Sequence, residues 1–286
     1  MKVCVLGASG FLGSRMVERF KSSRINLITF SSHDADATNY DELSEFLSSH
    51  GPSVIINLIA LTNVDLCEQR EDLARKLNVG VVENITNWIE MNHMLDKVHL
   101  IHISSDQVYS GVGPHAEDCA SPINIYGKTK LESEKVAQRV SSTVFRTNFF
   151  GRSNLIPERG LADWLYKASF AQKKINVFND IKFNPVFIDT LIGTLFGACN
   201  LKIHGIYNFG SRNAISKAEF ANLLYNELKF DTSILNSCSC RDAEILTAKR
   251  PHDMTVDCTK FELNFGWNLP DIKMEIKRLA GEYKND

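Results

Sequence analysis

Short apolar runs and amphipathic segments alternate from the first residues onward. Lys2–Leu6 is an apolar run rich in β-formers that stops at Gly7. Phe11, Leu12, Met16, Val17 and Phe20 then recur at close to helical spacing. Asn26–Phe30 predicts a second strand and Asp41–Ser48 a helix broken by Gly51-Pro52. Ser53–Ile59 is apolar almost throughout, as expected of a strand covered on both faces. Leu73, Leu77, Val81, Ile85 and Trp88 share one face of a long helix predicted over Glu68–Met91. Val98–Ile103 predicts a fourth strand, Asn124–Arg139 a helix and Ser142–Arg146 a fifth strand. This strand–helix alternation implies an α/β, Rossmann-type doubly wound parallel sheet.

The pattern loosens after Gly151. Arg152–Gly160 is polar and contains Pro157. Helices are expected over Leu161–Phe170, Asp189–Cys199, Ser216–Leu228 and Ile272–Tyr283, and extended segments over Ile175–Ile181, Pro185–Ile188 and Gly205–Phe209. Ser216 and Glu219 have capping-box spacing. Residues 1–150 are therefore expected to form a dinucleotide-binding domain, with segments near 184–210 returning to it. Residues 151–286 mainly form a smaller C-terminal substrate-binding lobe.

Glycines between the first strand and helix give the pattern chemical meaning. In Gly7-Ala8-Ser9-Gly10-Phe11-Leu12-Gly13, Gly7 permits a sharp turn, Gly10 lets backbone approach a pyrophosphate, and Gly13 lets helix pack closely on strand. The helix N-terminus offers N–H groups to phosphates. The second strand ends in Ser31-Ser32-His33, with hydroxyls rather than a carboxylate, which favours NADP while leaving NAD open. Asp36, followed by Ala37, either accepts from an adenine amino group or closes a turn.

Tyr126 and Lys130 stand four apart on a predicted helix and share a face. A free phenol titrates near ~10, and a neighbouring ammonium lowers that value toward neutrality. The pair suits carbonyl–alcohol interconversion. The fourth strand ends His102-Ile103-Ser104-Ser105-Asp106, at the ligand edge of such a sheet. Ser105, with Ser104 as the competing candidate, can orient a substrate oxygen toward Tyr126. Asp106 can bind a substrate hydroxyl or cap a helix.

Taken together, GASGFLG, PSVIINLIALTNVDLCE, HISSDQVYSG, SPINIYGKTKLESE, RTNFFG, FNPVFIDTLIGTL, GIYNFGS and KRPHDMTVDCTKF resemble, in order, segments of the extended short-chain dehydrogenase/reductases, and among them the dTDP-4-dehydrorhamnose reductase family. The resemblance implies hydride transfer from NAD(P)H to C4 of a 4-keto nucleotide-diphosphate sugar, with Ser105, Tyr126 and Lys130 catalytic. It brings Phe11, Leu12, Asn57, Ala60, Leu61, Thr62 and Ile103 toward the cofactor, and Asp106 and Phe149 toward the sugar. Gln107 stands where the family usually has Tyr, and Phe149 where it commonly has Trp. Related families include epimerases and dehydratases, and some relatives are regulatory NADP-binding subunits. A homodimer is also compatible with the resemblance, and a magnesium site found in some members has no clear carboxylate set here.

The 32 Lys and Arg against 34 Asp and Glu give a net charge of -2, which excludes a strongly basic nucleic-acid binder. No apolar run reaches membrane-spanning length, and the first residues lack the features of a signal peptide. Seven scattered cysteines read as reduced thiols in a cytoplasm. Cys238, Cys240, His252 and Cys258 match no common zinc-finger spacing, so no metal is expected.

Overall fold

The computed structural model describes residues 1–21, 25–155, 160–242 and 247–284. Pro157 of the polar connection lies outside them. In chain order the elements through the fifth strand are β1 (Lys2–Leu6), α1 (Phe11–Phe20), β2 (Asn26–Phe30), α2 (Tyr40–His50), β3 (Val54–Asn57), α3 (Val64–Gln69), α4 (Glu71–Arg75), α5 (Val81–Met91), β4 (His99–Ser105), α6 (Ile125–Ala137) and β5 (Ser142–Thr147). Then come β6 (Phe149–Phe150), α7 (Leu161–Phe170), β7 (Ile175–Phe178), β8 (Lys182–Phe183), β9 (Val186–Phe187), α8 (Ile188–Leu201), β10 (Gly205–Phe209), β11 (Ile215–Ser216), α9 (Lys217–Leu228), β12 (Leu235–Cys238), α10 (Thr259–Phe265) and α11 (Ile272–Lys284).

The main sheet has the order β10-β5-β4-β3-β1-β2, and every pairing in it is parallel. Strand order reverses between β1 and β3, so a topological switch point lies at their carboxyl ends. Alternation along the strands feeds two cores. Val3, Val5, Ile56, Ile101 and Phe145 join α1, α8 and the C-terminal elements on one face. Cys4, Leu6, Ile55, Leu100 and Val144 join α2, α5 and the end of α6 on the other. Burial on both faces is why these strands read as unbroken apolar runs.

The long helix predicted over Glu68–Met91 is broken. Arg70 leaves helical geometry at φ -132°, ψ 68°, and residues Lys76–Gly80 form a π-helical turn before α5. The apolar spacing survives both interruptions and so conceals them. The π turn places buried Asn78 where it accepts from Leu61 N at 2.7 Å and donates to Thr129 Oγ1 at 3.0 Å. It thereby ties the loop after β3 to α6. At the far end of the chain, β7 and β12 make a two-stranded parallel sheet, and α9 begins with the expected capping box of Ser216 and Glu219.

Candidate active site

The glycine turn lies at the switch point. Gly7 adopts φ +85°, and a Cβ on Gly13 would stand 2.1 Å from Gly7 O, so only glycine lets α1 sit this close to β1. Gly10 is the N-cap of α1 and supplies no side-chain acceptor. The first N–H groups of the helix therefore face an anion-sized opening. Two clefts of about 420 Å³ each meet there, sharing Gly10, Leu58 and Ala60. This geometry fits a dinucleotide lying across the turn.

The first cleft is lined by Gly7, Ser31, Asp36 and Ala37, among others. One expectation changes here, and one of two stated alternatives gains ground. A carboxylate does stand beside the hydroxyls: Asp34 accepts from Ser31 N at 2.7 Å and from Ser31 Oγ at 2.9 Å. Asp36 accepts from Thr38 N at 2.8 Å and Thr38 Oγ1 at 2.6 Å, and these bonds hold its carboxyl below the usual range. Its bonds are those of a turn residue, although it borders the cleft.

Phe11, Leu12, Ala60, Thr62, Ile103, Ser105, Asp106, Tyr126, Lys130 and Phe149 all line the second cleft. Phe11 and Phe149 form a tilted pair with centroids 5.8 Å apart. Leu61 and Asn57 are absent from the lining of both clefts. Leu61 is bonded to Asn78. Asn57, expected near the cofactor, is buried and accepts from Ile59 N at 3.1 Å.

Asn124 caps α6 by accepting from Gly127 N at 2.8 Å. A Cβ on Gly127 would lie 2.2 Å from Gln107 O, so this helix start packs directly on the turn after β4. That approach sets Tyr126 against Ser105, whose hydroxyl favours the ionised phenol. Ser104 also borders the second cleft, but its hydroxyl is engaged, donating to Glu134 Oε1 at 2.5 Å. Contrary to the expected lowering, the Tyr126 phenol is shifted upward. Burial pushes its pKa above the ordinary value, Ser105 opposes the shift, and Asp106 adds to it. Lys130 instead donates from Nζ to Ile103 O at 2.7 Å, and burial pulls it from 10.5 to about 8.

A buried chain fixes that lysine. With Asn57 Oδ1 taken by Ile59 N, its amide nitrogen faces His102 Nδ1 at 3.2 Å. His102 Nε2 lies 3.0 Å from Ser133 Oγ, which itself donates to Lys130 O at 2.7 Å. The consistent pattern is a neutral imidazole accepting at Nδ1 and donating at Nε2. Burial, followed by the Lys130 charge, holds its pKa well below 6.5.

On the other side of Ser105, buried Asp106 accepts from Asn148 Nδ2 at 2.7 Å and from Ser105 Oγ at 3.2 Å. Burial raises its pKa, against Asn148 and the Lys217 charge. Lys217 is pulled down to about 8 by burial, opposed by Asp106. A further 240 Å³ cleft adjoins this place, lined by Gln107, Asn148, Trp164, Phe178, Lys217 and Arg250. Sequence reasoning missed Asn148, Lys217 and Arg250. Asn148 precedes Phe149 inside a recognised segment, whereas Lys217 carries no local signal. A separate 820 Å³ cleft around Arg152, Tyr166 and Glu282 contains none of the predicted residues.

A family model described as RmlD substrate binding domain matches residues 1–285. The dTDP-4-dehydrorhamnose reductase of Escherichia coli K12 is 27% identical, over 99% of this chain and 98% of its own. Methionine adenosyltransferase 2 subunit beta of Rattus norvegicus is 25% identical, over 94% of this chain and 84% of its own. Among solved structures, dTDP-4-dehydrorhamnose reductase from Bacillus anthracis in complex with NADP superposes with a TM-score of 0.90 at 22% identity, covering 98% of this chain and 99% of its own.

Proposed function

The chain belongs to the RmlD substrate binding domain family, and on that premise we propose that it is an NAD(P)-dependent oxidoreductase reducing the 4-keto group of a nucleotide-diphosphate sugar. The observation that carries this reading is the convergence of Ser105, Tyr126 and Lys130 on one cleft continuous with the glycine turn. A dinucleotide bound there supplies the hydride. Tyr126, held protonated by burial, gives its proton to the forming alkoxide. Ser105 bonds the same oxygen and orients it. Lys130 brings positive charge to the wall next to the phenol, and Phe11 with Phe149 excludes water from one side.

Residues 1–150, with returning segments near 184–210, serve the cofactor, and most of 151–286 serves the sugar. Asp106, Asn148 and Phe149 face the sugar ring, while Lys217 and Arg250 offer cations to its diphosphate. The seven thiols suit a reducing cytoplasm, and no helix among the described residues is long and apolar enough to cross a membrane. NADP is the expected cofactor, with NAD a working alternative.

The test supplies dTDP-4-dehydrorhamnose and other 4-keto nucleotide sugars with NADPH or NADH and follows absorbance. Stoichiometric cofactor oxidation is expected. Tyr126→Phe should lower kcat by ~10²–10⁴-fold, the usual worth of a general acid, while leaving cofactor affinity in place. Full turnover in that variant ends the reading. Product formed without net cofactor oxidation would instead identify an epimerase or dehydratase. The likeness to an adenosyltransferase subunit favours a second reading, a regulatory NADP-binding protein. Tight NADP binding with no turnover of any sugar nucleotide, and co-purification with another enzyme, would select it.

A further inference from the structure

The cysteine-rich stretch near the end of the chain is organised differently from its sequence spacing. Cys258 is buried and donates to Val256 O at 3.8 Å. Cys240, in contrast, meets two residues that lie far from it in sequence. The carboxyl ends of β7 and β12 emerge together because the strands pair in parallel, with Asn179 N donating to Cys238 O at 3.0 Å. Asp180 follows one strand and Cys240 the other. His252 arrives on a third segment, locked by Lys182 N donating to His252 O at 2.7 Å.

From this convergence we propose that Asp180, Cys240 and His252 form a zinc site with three protein ligands and a fourth position open to solvent. Sγ of Cys240 lies 3.7 Å from His252 Nδ1 and 3.9 Å from Nε2. His252 Nδ1 lies 3.8 Å from Asp180 Oδ2, too far for a hydrogen bond. One ligand atom from each residue falls within 4.8 Å of the other two. Zinc bonds of ~2.3 Å to sulfur and ~2.0 Å to nitrogen or oxygen, at tetrahedral angles, put ligand atoms roughly 3.3–3.5 Å apart. A small closure of half-exposed side chains therefore completes the geometry.

The carboxylate is already oriented. Asp180 Oδ1 accepts from Cys240 N at 2.9 Å and Oδ2 from Ser239 Oγ at 2.5 Å, which leaves each oxygen a lone pair for a metal. The mixed thiolate, imidazole and carboxylate set suits zinc and disfavours magnesium or calcium, which select oxygen ligands. Side chains of His252 and Asp180 are 45% and 28% exposed, so the ion has an entry path. Bound metal would clasp three segments whose neighbours Phe178, Ile181, Arg250 and Met254 wall the third cleft. The proposal stands independently of the redox reading.

The full chain, stripped with chelator, is titrated with Zn²⁺ by calorimetry and with Co²⁺ by absorption. One equivalent of each is expected to bind, Co²⁺ giving a thiolate charge-transfer band, and Zn²⁺ is expected to raise Tm. Cys240→Ser should abolish the band and the Tm shift. His252→Gln, a second variant should the first fold poorly, should weaken binding at least ~10-fold. Cys119→Ser and Cys238→Ser should bind like the parent. The proposal is overturned by no saturable binding, by a band that survives Cys240→Ser, or by loss in Cys238→Ser with His252→Gln unaffected.

Discussion

The sheet edge and the C-terminal lobe build their parts of the cleft in opposite ways. Along the edge, side chains come from contiguous motifs at the ends of β1 and β4 and the start of α6, and the backbone after β4 braces the helix start and Lys130. On the lobe side, Trp164, Phe178, Lys217 and Arg250 come from four separate segments and meet only after folding. The edge can thus keep one chemistry while the lobe changes, because replacing a lobe residue leaves the positions of Ser105, Tyr126 and Lys130 intact. On the proposed reading, redox chemistry falls to the first region and choice of sugar to the second.

The largest expected effect tests how the edge is held. Glu134 and Arg146 form an ion pair with side chains 0% and 3% exposed, and Arg146 also donates to Tyr109 Oη at 2.7 Å and Glu117 O at 2.6 Å. Glu134→Ala leaves that guanidinium buried without its carboxylate, at a cost of about 3–5 kcal/mol. Denaturant midpoints should fall accordingly, and an unchanged midpoint would mean that the network does not brace the strands. Lys217→Met probes the lobe. It should raise the KM for sugar nucleotide by ~10–100-fold, as loss of a charge-assisted bond of about 1.5–3 kcal/mol requires. Cofactor affinity should stay put. A change in cofactor affinity instead would erase the division between the two regions.

The pH profile addresses both regions at once. Lys130 and Lys217 are each pulled down to about 8 by burial. Each is charged below that value and neutral above it, so kcat/KM should fall as pH rises through about 8, with two protons lost. The Tyr126 phenol is shifted upward and stays protonated across this window. In Lys217→Met the fall should involve one proton, and a profile identical to the parent's would remove Lys217 from the substrate site.

Legibility in the sequence follows the same division. Elements whose faces are covered in the sheet were readable because their apolar periodicity is complete; β1, α1, β2 and Gly205–Phe209 fall where expected. The break inside Glu68–Met91 was not readable, since Leu73, Leu77 and Val81 keep helical spacing across a π turn whose purpose is to aim Asn78. The motifs that carry Tyr126, Lys130 and Ser105 are local in the sequence, but the upward shift of the phenol is not. It follows from burial, a fact of tertiary structure. Lys217 and the convergence of Asp180 with Cys240 and His252 are products of strand pairing between distant segments.

The smallest expected effect concerns the cofactor end. Asp34 follows Ser31, Ser32 and His33, and its carboxylate takes both donors of Ser31, which lines the first cleft and on the proposed reading neighbours the ribose 2′ group. A 2′-phosphate placed there meets a negative charge instead of a waiting hydroxyl. Asp34→Asn removes the charge and keeps a carbonyl oxygen to accept from Ser31, so the turn should survive. Across solvent-exposed distances the repulsion is worth about 1 kcal/mol, or roughly fivefold. The ratio of kcat/KM for NADPH to that for NADH should therefore rise about fivefold at low salt and by less at high salt. An unchanged ratio would show that the 2′ position lies away from this carboxylate, and that selection between the cofactors falls to another part of the first cleft.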